Sequence, residues 1–367
     1  MASRRVRIVC ISDTHNQTPK LPPGDILIHA GDLTNQGSFS ELHKTFTWLQ
    51  QADFQIKILI CGNHDITCDA TFYEQYCIDL LQSDSSIVYL RHEAKVITLR
   101  YEDDTTAQLK IFGSPYSPAK GFWAFGYPPE RASQLWEQIP LETDVVVTHT
   151  PPKFHRDESG KHGASGCEQL RQALWRVRPR LSVCGHIHEG YGVEIVTWDL
   201  SSANVKFKES HVKRCEEPPP LSKKQFVVDL SNRRRFRALL NDGSVGSMTE
   251  PCNTTLQPET RHRSPIQGLL PDVPSPAKYP FPDAHKAQCP ISNAPVAVKA
   301  TTESHGTYGQ GGPLSSCRVD QEAICGRRGR QETCVVNAAY TATNWPHRGG
   351  KKFNRPIVLD MEIPLIQ

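Results

Sequence analysis

The sequence has 367 residues, a formal net charge of +3 at pH 7 and a mean hydropathy of −0.48. Its length allows one large domain or two ordinary ones. The apolar share of 38% lies below the roughly 45–50% of typical globular chains, so we expect part of the chain to lie outside a packed core. The weak positive charge neither requires nor excludes nucleic acid or an anionic membrane as a partner.

The N-terminal residues do not have the pattern of a secretory signal. The apolar run at residues 6–11 is interrupted by Arg7 and ends at Ser12, far short of a signal-peptide core. No uncharged run approaches the roughly 20 residues of a membrane-spanning helix. We therefore expect a soluble, intracellular protein that is located in the cytoplasm and has no membrane partner.

Twelve cysteines are scattered along the chain and form no CxxC pair. Cys10, Cys61 and Cys184 lie within strand-like runs, as small buried hydrophobic residues do. We therefore expect reduced, structural thiols. A zinc cluster is an alternative that the spacing argues against, since it matches no standard zinc pattern; its members would be Cys317, Cys325, Cys334 and His347.

The first part of the chain alternates strand-like and helical patterns. Apolar runs rich in β-branched residues predict strands at residues 5–11, 25–30 and 56–61. Between the last two, Ser38 and Glu41 predict a capping box at the start of an amphipathic helix that extends to about residue 51. Strand, helix and strand in succession indicate a βαβ crossover and a mostly parallel sheet.

The same alternation continues up to residue 200. Apolar spacing predicts helices at about residues 69–82, 130–138 and 167–177. Strands are predicted at residues 87–90, 95–100, 108–112, 144–148, 180–184 and 192–198. Between these elements, residues 118–129 indicate a long surface loop and residues 153–165 a polar, flexible segment.

Beyond residue 200 the composition changes. Residues 242–330 are crowded with Pro, Gly, Ser and Thr and show no sustained apolar period, which is the signature of a loop-like insertion or of disorder. Residues 223–230 could still form a strand, and strand-like runs return at residues 333–340 and 356–361. We therefore predict one domain whose first part is residues 1–209, a largely disordered insertion at residues 210–330, and C-terminal strands at residues 331–367 that complete the domain.

Polar groups follow five of the predicted strands at their carboxyl ends. They are carboxylates, imidazoles and one amide, namely Asp13, His15, Asp32, Asn63, His64, His149, His186 and His188. The carboxyl ends of parallel strands meet at one edge of a sheet, where α/β proteins place their chemistry. Such a set can replace water around divalent cations, and one carboxylate can bridge two ions about 3.5–4 Å apart. This arrangement suits hydrolysis of a phosphoester.

These residues resemble the calcineurin-like metallophosphoesterases, and in particular the MPPED-type (UPF0046) subfamily. The family's Asp-x-His, Gly-Asp, Gly-Asn-His-Asp, His and Gly-His-x-His blocks occur here in order, at Asp13, Asp32, Asn63, His149 and His186. The resemblance covers about residues 5–200 and the C-terminal strands. It implies an α/β fold of four layers, an α/β/β/α sandwich, here with a long and largely disordered insertion.

The resemblance also implies a role for each of these residues. Asp13, His15 and His188 would hold a first divalent ion. Asn63, His149 and His186 would hold a second, and Asp32 would bridge both. His64 would be the general acid or a phosphate-contacting imidazole, and Asp65 would orient it. The implied cofactors are two divalent metal ions, of manganese, iron or zinc.

The activity implied by the resemblance is hydrolysis of a small phosphoester by a metal-bridging hydroxide, with a phosphodiester such as a cyclic nucleotide preferred. We do not expect nucleic acid as a partner, and the oligomeric state stays open. One alternative is a catalytically silent scaffold of the same fold that binds a protein partner. The other is a nuclease or phosphoprotein phosphatase. Every ligand position of the family pattern is filled, which argues against the silent scaffold.

Other polar residues have ordinary structural interpretations. His29 lies in mid-strand and is predicted to belong to the core. His155 and His162 are assigned to a solvated loop, with a substrate pocket as the alternative, and Asn35 either forms a turn or contacts substrate. Short basic runs at residues 233–237 and 327–330 are interpreted as solvated, with binding of phosphate or nucleic acid as the alternative.

Overall fold

The structure, a computed structural model, describes residues 2–69, 74–160, 162–201, 207–219, 222–231, 238–244, 327–344 and 346–366. Most of the insertion predicted at residues 210–330 therefore lies outside the described residues, including 245–326. The basic run at residues 233–237, Cys317 and Cys325 also lie outside them.

The chain alternates strands and helices up to residue 198 and then adds strands alone among the described residues. The elements are β1 (Ser3–Ile11), β2 (Ile26–Ala30), α1 (Phe39–Gln50), β3 (Ile56–Ile60), α2 (Ile66–Asp69), α3 (Glu74–Gln82), β4 (Ile87–Tyr89), β5 (Glu93–Arg100), β6 (Thr106–Ser114), β7 (Ser117–Pro118), β8 (Gly126–Tyr127), α4 (Ala132–Trp136), β9 (Val145–Thr148), β10 (Glu158–Ser159), β11 (Gly163–Ala164), α5 (Glu168–Val177), β12 (Leu181–Cys184), β13 (Gly192–Trp198), β14 (Glu209–Arg214), β15 (Phe226–Asp229), β16 (Glu332–Asn337) and β17 (Ile357–Ile366).

Helix α1 begins as its sequence predicts. The Ser38 side chain accepts a hydrogen bond from the backbone N–H of Glu41, and the Glu41 carboxylate accepts one from the backbone N–H of Ser38. This reciprocal cap satisfies two N–H groups that the first turn would otherwise leave unpaired. Leu42, Phe46 and Leu49 then form the buried face of the helix.

Thirteen of the described strands form a continuous sheet with two halves. The first half has the order β15, β17, β1, β2, β3, β4, and the second has the order β5, β6, β9, β12, β16, β13, β14. Strands β1 to β4 are parallel to one another, and so are β6, β9, β12 and β16. Strand β17 joins the halves because it pairs with β1 along its length and reaches β6 through Leu365 and Ile366.

Three apolar clusters separate four layers. The two halves of the sheet face each other across the largest cluster, which Val6 and Ile8 of β1 share with Val145 and Val147 of β9. The opposite face of the first half packs against α1, and the opposite face of the second half packs against α4 and α5. Alternate residues of each strand serve the two faces, as the pleat of a strand requires. The predicted four-layer α/β/β/α fold is therefore confirmed.

The structure differs from the sequence prediction in three segments. Residues 118–129 are not simply a surface loop, because β8 lies within them and Ala124, Phe125 and Tyr127 are buried. Residues 153–165 carry β10 and β11, and His155 is buried rather than solvated. Strand β14 overlaps the start of residues 210–330 and pairs with β13, whereas β15 lies in the run at residues 223–230 that could form a strand and pairs with β17.

The basic run at residues 327–330 is only partly solvated: Arg328 is exposed as predicted, whereas Arg327 and Arg330 are buried. Arg330 is fully buried, and its guanidinium donates to the backbone carbonyls of Thr143 and Gly243 and pairs with Asp144. A charged group can be buried at modest cost only when its donors are satisfied in this way. Arg330 therefore connects the chain just before β16 to the segment before β9 and to Gly243.

The described cysteines are free thiols, and all but Cys215 are buried, as predicted. Cys334 lies within the cluster between the sheets, so it is not available to a zinc site with His347. His29 is buried in β2 and contacts the Thr14 hydroxyl at 2.9 Å, as expected for a core residue. None of the helices in the described part of the chain is long and apolar enough to cross a membrane.

Candidate metal centre

The polar groups predicted to form a site meet at the carboxyl edge of the parallel strands. Asp13 and His15 follow β1, Asp32 follows β2 and His186 follows β12, and all four have positive φ angles, of 51°, 44°, 53° and 66°. A left-handed backbone is costly for residues other than glycine and is concentrated at functional sites. Here it turns the chain where each strand ends, and the side chains of Asp13, His15 and Asp32 contact one another or the neighbouring histidines.

Glycines of the same motifs let these segments approach one another. A Cβ at Gly62 would overlap Asp32 and His149, and a Cβ at Gly185 would overlap Ser12 and Asp13. The space that a side chain would take is occupied by the carboxylates themselves. The glycines in Gly-Asn-His and Gly-His-x-His are therefore needed for the close packing of the site.

The first group of potential ligands comprises Asp13, His15 and His188. The Asp13 Oδ1 lies 3.3 Å from the His188 Nε2, and the Nε2 atoms of His15 and His188 are 3.4 Å apart. The Asp13 carboxylate also accepts a hydrogen bond from the backbone N–H of His186 at 3.0 Å. These three residues are the set expected for a first ion.

The second group is centred on Asp32. Its Oδ1 lies 3.3 Å from the His149 Nε2, and its Oδ2 lies 3.7 Å from the His15 Nε2. The Asn63 Oδ1 lies 2.9 Å from the His149 Nε2. Asp32 therefore stands between the two predicted subsites, which is the place of a bridging carboxylate. The partly buried His186 ring lies 4.9 Å from the His149 ring, centroid to centroid.

Backbone carbonyls fix the orientation of the histidines. The Nδ1 atoms of His15, His149 and His188 contact the carbonyl oxygens of Thr34, Ala30 and Thr343, at 3.0, 2.9 and 3.3 Å. Because Nδ1 must carry the proton to donate to a carbonyl, Nε2 is left with its lone pair. Lone pairs on His15 and His188 that face each other at 3.4 Å repel unless a cation or a proton lies between them. The donor set thus fits divalent metal ions.

The charges of the cluster shift the pKa values of its members. Burial would raise the pKa of the Asp13 carboxyl, but the hydrogen bond and charge of His188 outweigh it and lower that pKa to about 2. Burial would lower the pKa of His149, but the charge of Asp32 outweighs it and raises that pKa to about 9. Burial lowers the pKa of His186 to about 3. Two ionised carboxylates therefore face the histidines, so that protons and metal ions compete for the same atoms.

His64 lies at the rim of the cluster and is held by its neighbours. Its Nδ1 contacts the Asn35 carbonyl at 2.5 Å, and its backbone N–H donates to the Asp32 Oδ1 at 2.9 Å. The Trp123 ring lies against one side of the imidazole, with 4.1 Å between centroids, and the His15 ring lies 4.8 Å away. The side chain therefore has little freedom to rotate.

Asp65 does not orient His64 in the way predicted. Its carboxylate accepts hydrogen bonds from the backbone N–H groups of Gly62, Leu33 and Thr34 and from the Thr34 hydroxyl. The contact that orients the imidazole is the Asn35 carbonyl. Asp65 has no direct contact with the His64 ring among these bonds. It instead connects the turn after Asp32 to the turn after β3.

A cavity of about 920 Å³ opens over the cluster. Its lining includes Asp32, Asn63, His64, His186 and His188. It also includes residues that the sequence did not place at this site: Lys120, Trp123, Glu189, Asn344, His347 and Lys351. Asn35 and His162 line the cavity as well, in agreement with the alternative interpretation that they contact a substrate pocket. No local pattern predicts these contacts, because the loops that bring them to the site are placed by long-range packing. For Trp123, the sequence signal was a loop segment rich in glycine and aromatic residues, which could have been examined as a wall of the site.

His155 has a structural role away from the cavity. Its Nδ1 contacts Glu194 at 2.8 Å and its Nε2 contacts Glu209 at 3.1 Å. Arg171 also pairs with Glu209, at 2.7 Å. This cluster, which we call the His155 network, connects the segment after β9 with β13, β14 and α5.

The fold and the cluster define a class of protein: an α/β protein with a carboxylate–imidazole cluster at the carboxyl edge of two facing sheets. The sequence model of the calcineurin-like phosphoesterase family matches residues 6–190. The chain belongs to the calcineurin-like phosphoesterase family.

Similar proteins are found in fungi and animals. The chain is 48% identical over 198 residues to the probable rhamnogalacturonate lyase C of Emericella nidulans, covering 53% of this chain and 18% of that protein. It is 38% identical over 205 residues to the human metallophosphoesterase domain-containing protein 1, covering 51% and 62%. It is 32% identical over 207 residues to the UPF0046 protein K07C11.7 of Caenorhabditis elegans, covering 55% and 68%. The chain thus spans less than two thirds of the first two relatives.

Proposed function

We propose that the chain is a metal-dependent phosphoester hydrolase that prefers phosphodiesters and uses two divalent ions of manganese, iron or zinc. The observation that carries the proposal is the convergence of two carboxylates with imidazoles whose Nε2 atoms are kept free by carbonyl contacts at Nδ1. Asp13, His15 and His188 would hold one ion, Asn63, His149 and His186 the other, and Asp32 both. Such ions, when bound, activate a water molecule and neutralise charge on the phosphate.

The side chains contribute the steps that follow from their positions. The Asn35 carbonyl holds His64 Nδ1, so Nε2 is the atom that would deliver a proton to the departing oxygen. The Trp123 ring covers one side of this imidazole and reduces its contact with water. The cavity leaves room beside the cluster for a large organic group, which suits a diester such as a cyclic nucleotide.

The names of the relatives support the proposal unequally. Two of them carry a metallophosphoesterase or UPF0046 name, and the chain covers 62% and 68% of those proteins. The protein named as a lyase is matched over 18% of its length, so we do not propose lyase activity for this chain. We also propose that the protein acts in the cytoplasm on a small substrate.

The proposal is tested by adding Mn²⁺ to metal-free protein and following hydrolysis of bis(p-nitrophenyl) phosphate. We expect Mn²⁺-dependent turnover that Asp32→Asn lowers at least about a hundredfold, because the shared carboxylate is lost. His43→Ala is the matched control, since His43 is an exposed histidine of α1 outside the cavity, and it should leave turnover unchanged. Absence of Mn²⁺-dependent turnover would favour the silent scaffold.

A second comparison separates the enzyme classes. DNA, a phosphopeptide and a cyclic nucleotide are offered to the same Mn²⁺-loaded protein at equal concentration. We expect the cyclic nucleotide to be hydrolysed fastest. Faster hydrolysis of DNA or of the phosphopeptide would instead identify a nuclease or a phosphoprotein phosphatase.

A further inference from the structure

Two lysines from separate segments line the cavity over the metal centre. Lys120 lies between β7 and β8, and Lys351 lies between β16 and β17. Both side chains are exposed. Within the described part of the chain, neither Lys120 nor Lys351 forms an ion pair with a carboxylate, whereas Lys57, Lys95 and Lys208 each do.

The segment that carries Lys120 is bonded to one side of the centre. The backbone N–H of Ala124 donates to the carbonyl of Asn63 at 3.0 Å, and the Trp123 ring lies on His64. The backbone N–H of Phe125 donates to Asp69 at 2.9 Å. These contacts fix the wall of the cavity beside the second predicted subsite.

The segment that carries Lys351 is bonded to the other side. The Thr343 carbonyl contacts His188 Nδ1 at 3.3 Å, and the Thr343 hydroxyl contacts His347 Nδ1 at 2.9 Å. The backbone N–H of Lys352 also reaches the Thr343 hydroxyl, at 3.4 Å. The wall that carries Lys351 therefore flanks the first predicted subsite.

The lining holds two carboxylates. Asp32 belongs to the metal centre, which leaves Glu189 alone to offset the charges of the two lysines; its carboxylate accepts a hydrogen bond from Asn344 at 2.8 Å. Outside the metal centre, the described lining therefore carries one more positive than negative charge. A cleft with a surplus of one sign of charge concentrates ligands of the opposite sign. The cavity is also far larger than one phosphate group needs.

We infer that the substrate carries a second anionic group besides the phosphoester held at the metal centre, and that Lys120 and Lys351 bind it. A second phosphate group is the best match, because a lysine ammonium binds phosphate as a point charge. This inference rests on the proposed function. It adds a substrate class, the phosphoester with a further phosphate on its organic part.

The test compares two probes that differ by one phosphate group, adenosine 5′-monophosphate and adenosine 3′,5′-bisphosphate. Their binding to the full Mn²⁺-loaded chain is measured by titration calorimetry, which does not need turnover. We expect the bisphosphate to bind about tenfold more tightly than the monophosphate. The double variant Lys120→Ala/Lys351→Ala should bind both probes with the affinity that the wild type has for the monophosphate.

The control double variant is Lys110→Ala/Lys352→Ala, which removes the same charge from exposed lysines that do not line the cavity. It should keep the tenfold preference. Equal affinity for the two probes in the wild type, or a preference that survives in Lys120→Ala/Lys351→Ala, would overturn the inference. Turnover of bis(p-nitrophenyl) phosphate is measured alongside, so a protein without activity but with the preference would reject the proposed function and retain the lysine site.

Discussion

Trp123 links a loop of no regular pattern to the residue predicted to donate a proton. Its ring lies 4.1 Å from the His64 ring, and 41% of the residue is exposed. The indole ring, tilted by 35° from the imidazole plane, limits the rotation of the imidazole about its side-chain bonds. Trp123 would thus be a positioning residue that acts on the proposed reaction through His64.

We expect Trp123→Ala to slow hydrolysis of a cyclic nucleotide at least about tenfold and that of bis(p-nitrophenyl) phosphate less than about threefold. The reason is that p-nitrophenolate leaves without a proton, whereas a ribose alkoxide needs one. Steady-state rates for Trp123→Ala, His64→Ala and the double variant check the coupling, since the second substitution should add little. Phe122→Ala is the control because Phe122 is fully exposed in the same loop. Equal losses on both substrates would contradict the positioning role.

The position of the Asp13 carboxylate depends on the absence of a side chain at Gly185. A Cβ at this position would meet Ser12 and the Asp13 carboxylate. We expect Gly185→Ala to displace Asp13 and to lower Mn²⁺ affinity at least about tenfold. The measurement is the rise in melting temperature on adding Mn²⁺, compared with Gly160→Ala, where a Cβ meets nothing within 4 Å. A full Mn²⁺ response in Gly185→Ala would show that the site adapts.

At the scale of elements, the His155 network joins β13, β14 and α5 to the segment that follows β9. Burial would raise the pKa of the Glu209 carboxyl, but hydrogen bonds from His155 and Arg171 outweigh it and lower that pKa to about 2. Burial would lower the pKa of His155, but its hydrogen bonds to Glu194 and Glu209 outweigh it and raise that pKa. The network is therefore strongest when the histidine is protonated and both glutamates are ionised.

The sign of each shift defines a pH window for stability. The lowered pKa of Glu209 contributes stability above its unfolded value of about 4.3 and loses it as the pH falls towards 2. The raised pKa of His155 contributes below about 6.5 and is lost as the pH rises through the folded value. We expect Glu209→Gln to lower the free energy of unfolding by about 1.5–3 kcal/mol between pH 4.5 and 6.5, and by less outside this range.

Urea unfolding at several pH values measures this dependence. Glu168→Gln is the matched control, because Glu168 pairs with the same Arg171 at 2.7 Å but does not contact the histidine. A loss in Glu209→Gln that is the same at every pH would mean that the titration of His155 is not involved.

The local sequence pattern predicted those elements that have a clear apolar period or a capping motif of their own. The capping box of α1, the strand at residues 192–198 and the strand ends at Asp13, Asp32 and His149 follow from alternation and from turn residues. The short strands β7, β8, β10 and β11 did not, because pairs of two residues have no period. The burial of His155 and Arg330 also escaped, since their partners lie far along the chain.

At the scale of the whole molecule, the described segments that precede residue 245 and follow residue 326 meet at one place. Asn241 and Arg330 pair as an antiparallel bridge, and the backbone N–H of Asp242 donates to the carbonyl of Gly329 at 3.2 Å. Gln331 and Glu332 both donate to the Leu240 carbonyl. The two chain segments on either side of residues 245–326 are therefore neighbours, as the two strands of a hairpin are.

We expect a chain in which a four-residue Gly-Asn-Gly-Ser link replaces residues 245–326 to keep its fold and its Mn²⁺ response. The loop to be closed becomes shorter, and the entropy cost of closing it falls slowly with length. Thermal unfolding with and without Mn²⁺ compares the shortened and full chains. As a control, a second chain also lacks residues 238–244 and 327–331 and should be destabilised. Loss of the Mn²⁺ response in the first chain would give residues 245–326 a part in the site.

The places of β16 and β17 in the sheet also set an order of events during synthesis. β16 lies between β12 and β13, and β17 lies between β1 and β6, yet both follow residues 245–326 in the chain. Until β16 and β17 emerge from the ribosome, the strands on either side of them have unpaired edges, which can pair with the wrong strand. Thr343, which contacts His188, emerges between them. Every predicted ligand is thus translated long before the sheet that holds them can close, and we expect stable loading of metal to require the residues made last.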